Sequence, residues 1–322
     1  MAAVHPTEAR FTSLPAGAPH YESFYLKACH PQQPLGVWVR YTVHVRPGAQ
    51  PTGSLWFTLF DATAEAPLAR KVTVAGPTAG GEEWIRVGDA LLADGVASGS
   101  AEDASWELRF ASAEPPLLHL PRPWMYTARL PRTKLLSPRP AATFDGRVSV
   151  GERELELAGW RGMVGHNWGT QHAERWIWLH GITPGGDWLD AAIGRVKLGP
   201  LTTPWVTSGA LSVGGERVAL GGPGRRTTVE ETPEGARFEL SGKGVRVDGT
   251  VGAARKDFVG WVYADPEGPE HQTVNCSVSD MRLSVSRSGK PEAQLVVTGG
   301  AAYELGMRER DHGMTIQPYG DG

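Results

Sequence analysis

The chain is poor in cysteine: Cys29 and Cys276 are the only two among 322 residues. That excludes a disulfide-stapled scaffold, and two free thiols in a reducing cytoplasm are expected. A basic block is also missing. The net charge is −3 and the pI about 6.4, so the electrostatic footprint of nucleic-acid binding is absent. There is no run of about 18 apolar residues, so no transmembrane segment is expected, which leaves peripheral membrane contact open. The opening stretch "MAAVHPTEARFTS" has no charged region followed by an apolar one. No signal peptide is expected, and the location read from this is cytoplasmic. No Walker loop, dinucleotide loop or G-x-S-x-G is present, so neither a nucleotide cofactor nor serine-hydrolase chemistry is expected. Nothing in the sequence sets an oligomeric state.

Helical periodicity is missing too, because no segment keeps a 3.6-residue apolar period for three turns. Alternation is there instead, punctuated by 41 glycines and 25 prolines. In "GVWVRYTVHV" (36–45), Val37, Val39, Tyr41, Val43 and Val45 share one face, and Trp38, Arg40, Thr42 and His44 the other. "SLWFTLFDA" (54–62) follows across "RPGAQPTG", which reads as a hairpin loop. "SVGGERV" carries a Gly-Gly hairpin signal. These and many further short strands predict an all-β fold with little helix, built as antiparallel barrels or sandwiches. The stretch 114–146 holds seven prolines and little alternation. Proline cannot donate to a central ladder, so this stretch is expected to connect two β units, 1–140 and 141–322.

Twelve tryptophans outnumber seven tyrosines and eight phenylalanines. Three of them, with three histidines, fall in "GHNWGTQHAERWIWLHG" (165–181). If "WIWLH" is a strand, Trp176, Trp178 and His180 face one way. "TPGGD" then turns the chain, and Trp188 and Asp190 share one face of the returning "WLDAAI". Three readings compete. The first is a core cluster with structural hydrogen bonds. The second is a metal site on His166, His172 and His180. Its H-x5-H-x7-H spacing fits no compact ligand pattern, and CxxC and HExxH are absent, so no metal is expected. The third is an apolar pocket with a proton donor. Indole faces stabilise a passing cation, and a desolvated acid stays protonated near neutral pH. Such an acid can protonate an alkene, after which water or the substrate itself quenches the cation.

"GHNWGTQHAERWIW" resembles the motif of the lipocalin-like superfamily that contains carotenoid hydratases (hydroxyneurosporene synthases), tocopherol cyclases and AttH-like proteins. "YESFYLK" (21–27) resembles its acidic-aromatic first strand more loosely. The resemblance implies two lipocalin-like domains and a hydrophobic small-molecule substrate. It also implies a cyclase or hydratase acting on an isoprenoid or polyene. Some fungal members are pericyclases that form decalin rings, and many barrels of this kind only carry ligands. In the carotenoid hydratases a His-x-Trp pair and a Tyr-x-Asp pair are implicated. His166 and Trp168 match the first; Trp188 and Asp190 match the second, with Trp in place of Tyr. Asp190 and His166 are therefore the expected catalytic residues. Trp168, Trp176, Trp178, His180, Trp188, Asn167, Glu22, Tyr25 and Glu304 are the expected substrate-binding set. For Glu304 the plain alternative is an ion pair with Arg308.

Overall fold

The computed structural model describes residues 4–198, 201–309 and 312–320. Among them the architecture is all-β, with three short 3₁₀ turns. Two large antiparallel sheets account for nearly all of it. The first, of 12 strands, opens like a half-barrel; the second closes through the Leu220–Gly242 pair into an eight-stranded barrel. The hairpin read from residues 36–62 is present as Leu35–Val45 paired with Thr52–Asp61. Gly214 and Gly215 turn the "SVGGERV" hairpin with φ of 62° and 76°, the left-handed values that a two-residue turn demands.

Alternation correctly separated the faces of Leu35–Val45, but neither face meets water. Val37, Val39, Tyr41, Val43 and Val45 enter the core of the first sheet. Trp38 belongs instead to the core of the second unit, and Arg40, Thr42 and His44 are buried with it. The adjacent strand His20–Cys29 is sandwiched in the same way. Phe24, Leu26 and Ala28 face the first core. Tyr25 packs with Met163, Trp178 and Ala302, at the contact with the second sheet.

The proline-rich stretch is not a connector between sheets. Residues Thr133–Val150 form an 18-residue strand that pairs with Arg153–Gly169. Its ladder shifts register between Leu136 and Arg139 and again between Arg139 and Ala142, where Pro138 and Pro140 sit. The missing N–H groups thus fall in bulges and not in regular ladder positions. The expected boundary near residue 140 lies inside this strand. The chain leaves the first sheet after Gly169 and enters the second at Arg175, and we propose to divide the two units at that crossing.

The glycines of the 165–181 stretch have a packing reason. Gly165 lies opposite Tyr25 on the neighbouring strand. A Cβ there would sit 2.2 Å from the Tyr25 ring, so the tyrosine lies directly on bare backbone. Gly306 serves Trp176 in the same way on the second sheet. Gly165→Ala should cost about 1–3 kcal/mol by overpacking. Chemical denaturation measures it, and Tyr25→Leu in the Gly165→Ala background should recover part of the loss. A Gly165→Ala protein as stable as wild type would refute this packing.

Candidate functional site

The two expected catalytic residues are not brought together. His166 lies on the first-core face of Arg153–Gly169, stacked on Phe24 with ring centroids 3.8 Å apart. Its Nε2 is 2.7 Å from Glu22 Oε1 and its Nδ1 is 2.9 Å from the Pro6 carbonyl. Glu22 also accepts from the backbone N–H groups of Arg10 and Phe11 at 2.8 and 2.9 Å, and lies 3.2 Å from His20 Nε2. Burial alone would raise the Glu22 pKa. Hydrogen bonds from His166 and His20 outweigh it and hold the carboxyl down to about 2. Every contact of this pair is internal, and together they pin the N-terminal segment to the first sheet.

Asp190 sits between the sheets, fully buried and paired across the ladder with His180. Its Oδ2 accepts from the Ser137 hydroxyl at 2.5 Å and lies 3.4 Å from His119 Nε2; its Oδ1 accepts from the Trp178 indole at 3.3 Å. Desolvation pushes the Asp190 pKa up. His119, then His180 and the Ser137 hydroxyl, push it down further, and the carboxyl is held below its ordinary range. These neighbours favour the ionised form of Asp190, whereas the sequence suggested a neutral proton donor.

The neighbouring polar group is Lys27. Its Nζ donates to the Gly300 carbonyl at 2.7 Å and the His180 carbonyl at 3.3 Å, and approaches His180 Nδ1 at 3.4 Å. Among the described residues no carboxylate lies within ion-pair distance of it. Burial lowers its pKa, against the opposing pull of Cys29, Cys276 and Asp190. Burial and then Lys27 depress His180 to about 3, against Asp190 and the Pro140 carbonyl. A neutral ring with its proton on Nε2 donates to Pro140 O at 3.0 Å and leaves Nδ1 to accept from Lys27. Pro140 lies in the bulged part of its strand.

Lys27 and His180 form part of the wall of a cavity of about 640 Å³ between the sheets, which Cys29, Arg161, Asp257 and Asp280 also line. None of the expected tryptophans lines it. Trp168 packs with Leu120, Tyr126 and Leu136; Trp188 with Leu117 and Ala210; Trp178 with Met163 and Tyr25. The expected apolar, aromatic-lined pocket is thus corrected to a cavity of mixed polarity, because the indoles are spent on packing. Of the expected binding residues, His180 alone reaches it.

The others do not reach the cavity. Glu304 accepts from Trp176 Nε1, Asn275 Nδ2 and the Tyr263 hydroxyl at 2.9, 3.0 and 3.1 Å. Arg308 pairs with Glu174 instead. Asn167 keeps a buried Oδ1 without a hydrogen-bond partner. Cys29 and Cys276 are free and buried. Sequence reasoning missed Lys27, His119 and Ser137. The latter two lay in the stretch read as a connector, although a histidine between leucines in "LLHLP" is itself a sign of a buried polar group.

The fold and this inter-sheet arrangement define a two-unit, lipocalin-like all-β protein. No protein-family model matches the chain. It is 26% identical over 324 residues to the uncharacterized protein Rv0493c of Mycobacterium tuberculosis, covering 94% of this chain and 91% of that one. Three solved structures share the fold. An AttH candidate from Nitrosomonas europaea aligns with a TM-score of 0.58 and 14% identity, over 95% of this chain and 99% of that one. CghA with Sch210972 aligns at 0.61 and 11%, over 90% and 88%. Kievitone hydratase from Nectria haematococca aligns at 0.55 and 11%, over 95% and 93%. No helix among the described residues is long and apolar enough to cross a membrane.

Glu22 gives a pH test. Its folded pKa of about 2 lies below the ordinary 4.5, so its stabilisation is complete above pH 4.5 and is lost as pH falls towards 2. The shift corresponds to about 3 kcal/mol. Glu22→Gln should lose stability of that order at neutral pH and flatten the acid limb, as read by urea denaturation across that window. An unchanged acid limb would count against the assignment.

Proposed function

We propose that this protein is an enzyme of the hydratase or cyclase type, adding water to an unsaturated small molecule or closing a ring on it. The reaction is placed in the cavity between the sheets. The observation that carries the reading is the Lys27–His180 pair in the cavity wall. A buried lysine with a lowered pKa holds its proton less tightly than a free one and is a better proton donor. His180 orients the amine through Nδ1, and Asp190 acts behind His180 as a positioning charge. The proton donor expected at Asp190 is thereby transferred to Lys27.

Lys27 and Arg161 suit an oxygen function on the substrate, while Pro34, Ile182, Val278 and Val297 supply apolar wall. An isoprenoid or polyene bearing a hydroxyl, carbonyl or phenol fits that mixture. The kievitone hydratase neighbour supports the reading to the extent that this fold hosts a hydratase.

A non-catalytic carrier is the second reading. It is favoured by the internal satisfaction of His166, Glu22 and Asp190, none of which is left free to meet a ligand. Native extraction followed by mass spectrometry supplies the co-purifying molecule for both readings. Incubated with wild type in deuterated water, that molecule should gain deuterium or be converted, and Lys27→Met should reduce the rate by about 100-fold or more. Recovery of an unchanged, unlabelled ligand from wild type would sink the enzymatic reading in favour of the carrier.

A further inference from the structure

The crossing between the sheets carries His172, which meets residues a hundred positions away. Its backbone N–H and its Nδ1 both contact Asp265 Oδ1, at 2.7 and 2.8 Å. One reading stops there: Asp265 pins the crossing. That reading leaves too much unpaired. His172 Nε2 and Asp265 Oδ2 are buried without hydrogen-bond partners, and the His271 ring has only the Tyr263 backbone beside it. One ligand-type atom from each of the three residues lies within 4.8 Å of the other two. The side chains of His172 and Asp265 are 8% and 1% exposed, and His271 is fully buried. Buried polar groups are almost always partnered, so incompletely satisfied polar atoms on three converging ligand-type side chains call for a further partner.

We propose that His172, Asp265 and His271 bind one divalent transition-metal ion of the zinc type. Two imidazoles and a carboxylate are a donor set that such ions favour, with remaining positions for water or a small ligand. Tetrahedral bonds of 2.0–2.1 Å set ligand atoms about 3.4 Å apart, so the side chains close by about 1.5 Å or less on binding. To ligate the same ion as Asp265, His172 must offer Nδ1, so its proton moves to Nε2 and the ion replaces the Nδ1–H bond to Asp265 Oδ1. Tyr21 stacks on the His172 ring at 4.0 Å and Trp176 at 5.3 Å, which holds its plane. The nearby Arg308 is neutralised by Glu174, and the Glu304 carboxylate stands behind Trp176 and Tyr263. His172, the most exposed of the three, marks the entry side. The site is separate from the Lys27–His180 pair and does not depend on its catalytic role.

The test uses the full chain, stripped with a chelator and titrated with Co²⁺ and then Zn²⁺. Native mass spectrometry should show one bound ion, cobalt should give visible d–d bands of a low-coordinate nitrogen–oxygen site, and one equivalent of Zn²⁺ should raise the Tm. His271→Gln and Asp265→Asn should each weaken binding by about 100-fold or more, since second-shell partners alone are worth 10–100-fold. His5→Gln, on an exposed histidine, should leave binding intact. The wild-type measurements stand even if one variant fails to fold. Absence of a bound ion in wild type overturns the proposal, as does stoichiometric binding that survives both variants.

Discussion

The strand His20–Cys29 has water on neither face, and the rest of the molecule is arranged around that constraint. It hydrogen-bonds on one side to Leu35–Val45 and on the other to Arg153–Gly169. One face fills the first core, and the other is pressed against the second barrel. A polar side chain on such a strand cannot turn to solvent, so each must find a partner inside. Glu22 finds His166, His20 and two backbone donors on one face. Tyr21 finds Thr133, Ser23 finds Arg40, and Lys27 finds His180 and Gly300 on the other. The polar residues that make the strand look functional divide between two chemically separate layers.

That division explains what could be read from the sequence and what could not. Alternation located the first hairpin, and the 176–180 stretch did present Trp176, Trp178 and His180 on one face with Asp190 opposite. It could not say what each face would meet, because periodicity reports two environments and not their identity. His166 and Asp190 both looked like members of one constellation, yet the intervening sheet separates them. Prolines misled in the 114–146 stretch, because bulges let a long strand tolerate them. His119 and Ser137, the polar partners of Asp190, were hidden with it. The metal-type cluster was illegible for another reason. Its histidines are 99 positions apart in sequence, so a test of local ligand spacing passes over them.

Charged groups between the sheets are unevenly partnered. Asp190 has His119, Ser137 and Trp178 as polar neighbours. Lys27 has only neutral acceptors, and Arg40 has Ser23 plus the face of Tyr263 at 4.0 Å, with its Nη1 unpaired. Two cations are therefore buried against carbonyls, hydroxyls and rings, an arrangement that desolvation penalises heavily. A carboxylate placed beside Lys27 would relieve the penalty but would also raise its pKa and fix its proton. Leaving the amine with neutral acceptors keeps the proton loosely held. Arg161 adds a second cation to the cavity wall, and Asp257 and Asp280 add carboxylates. A carrier of purely apolar ligands would gain nothing from this cost. A wall that is expensive to fold and carries charged groups of both signs is better matched to a substrate with polar functions of its own.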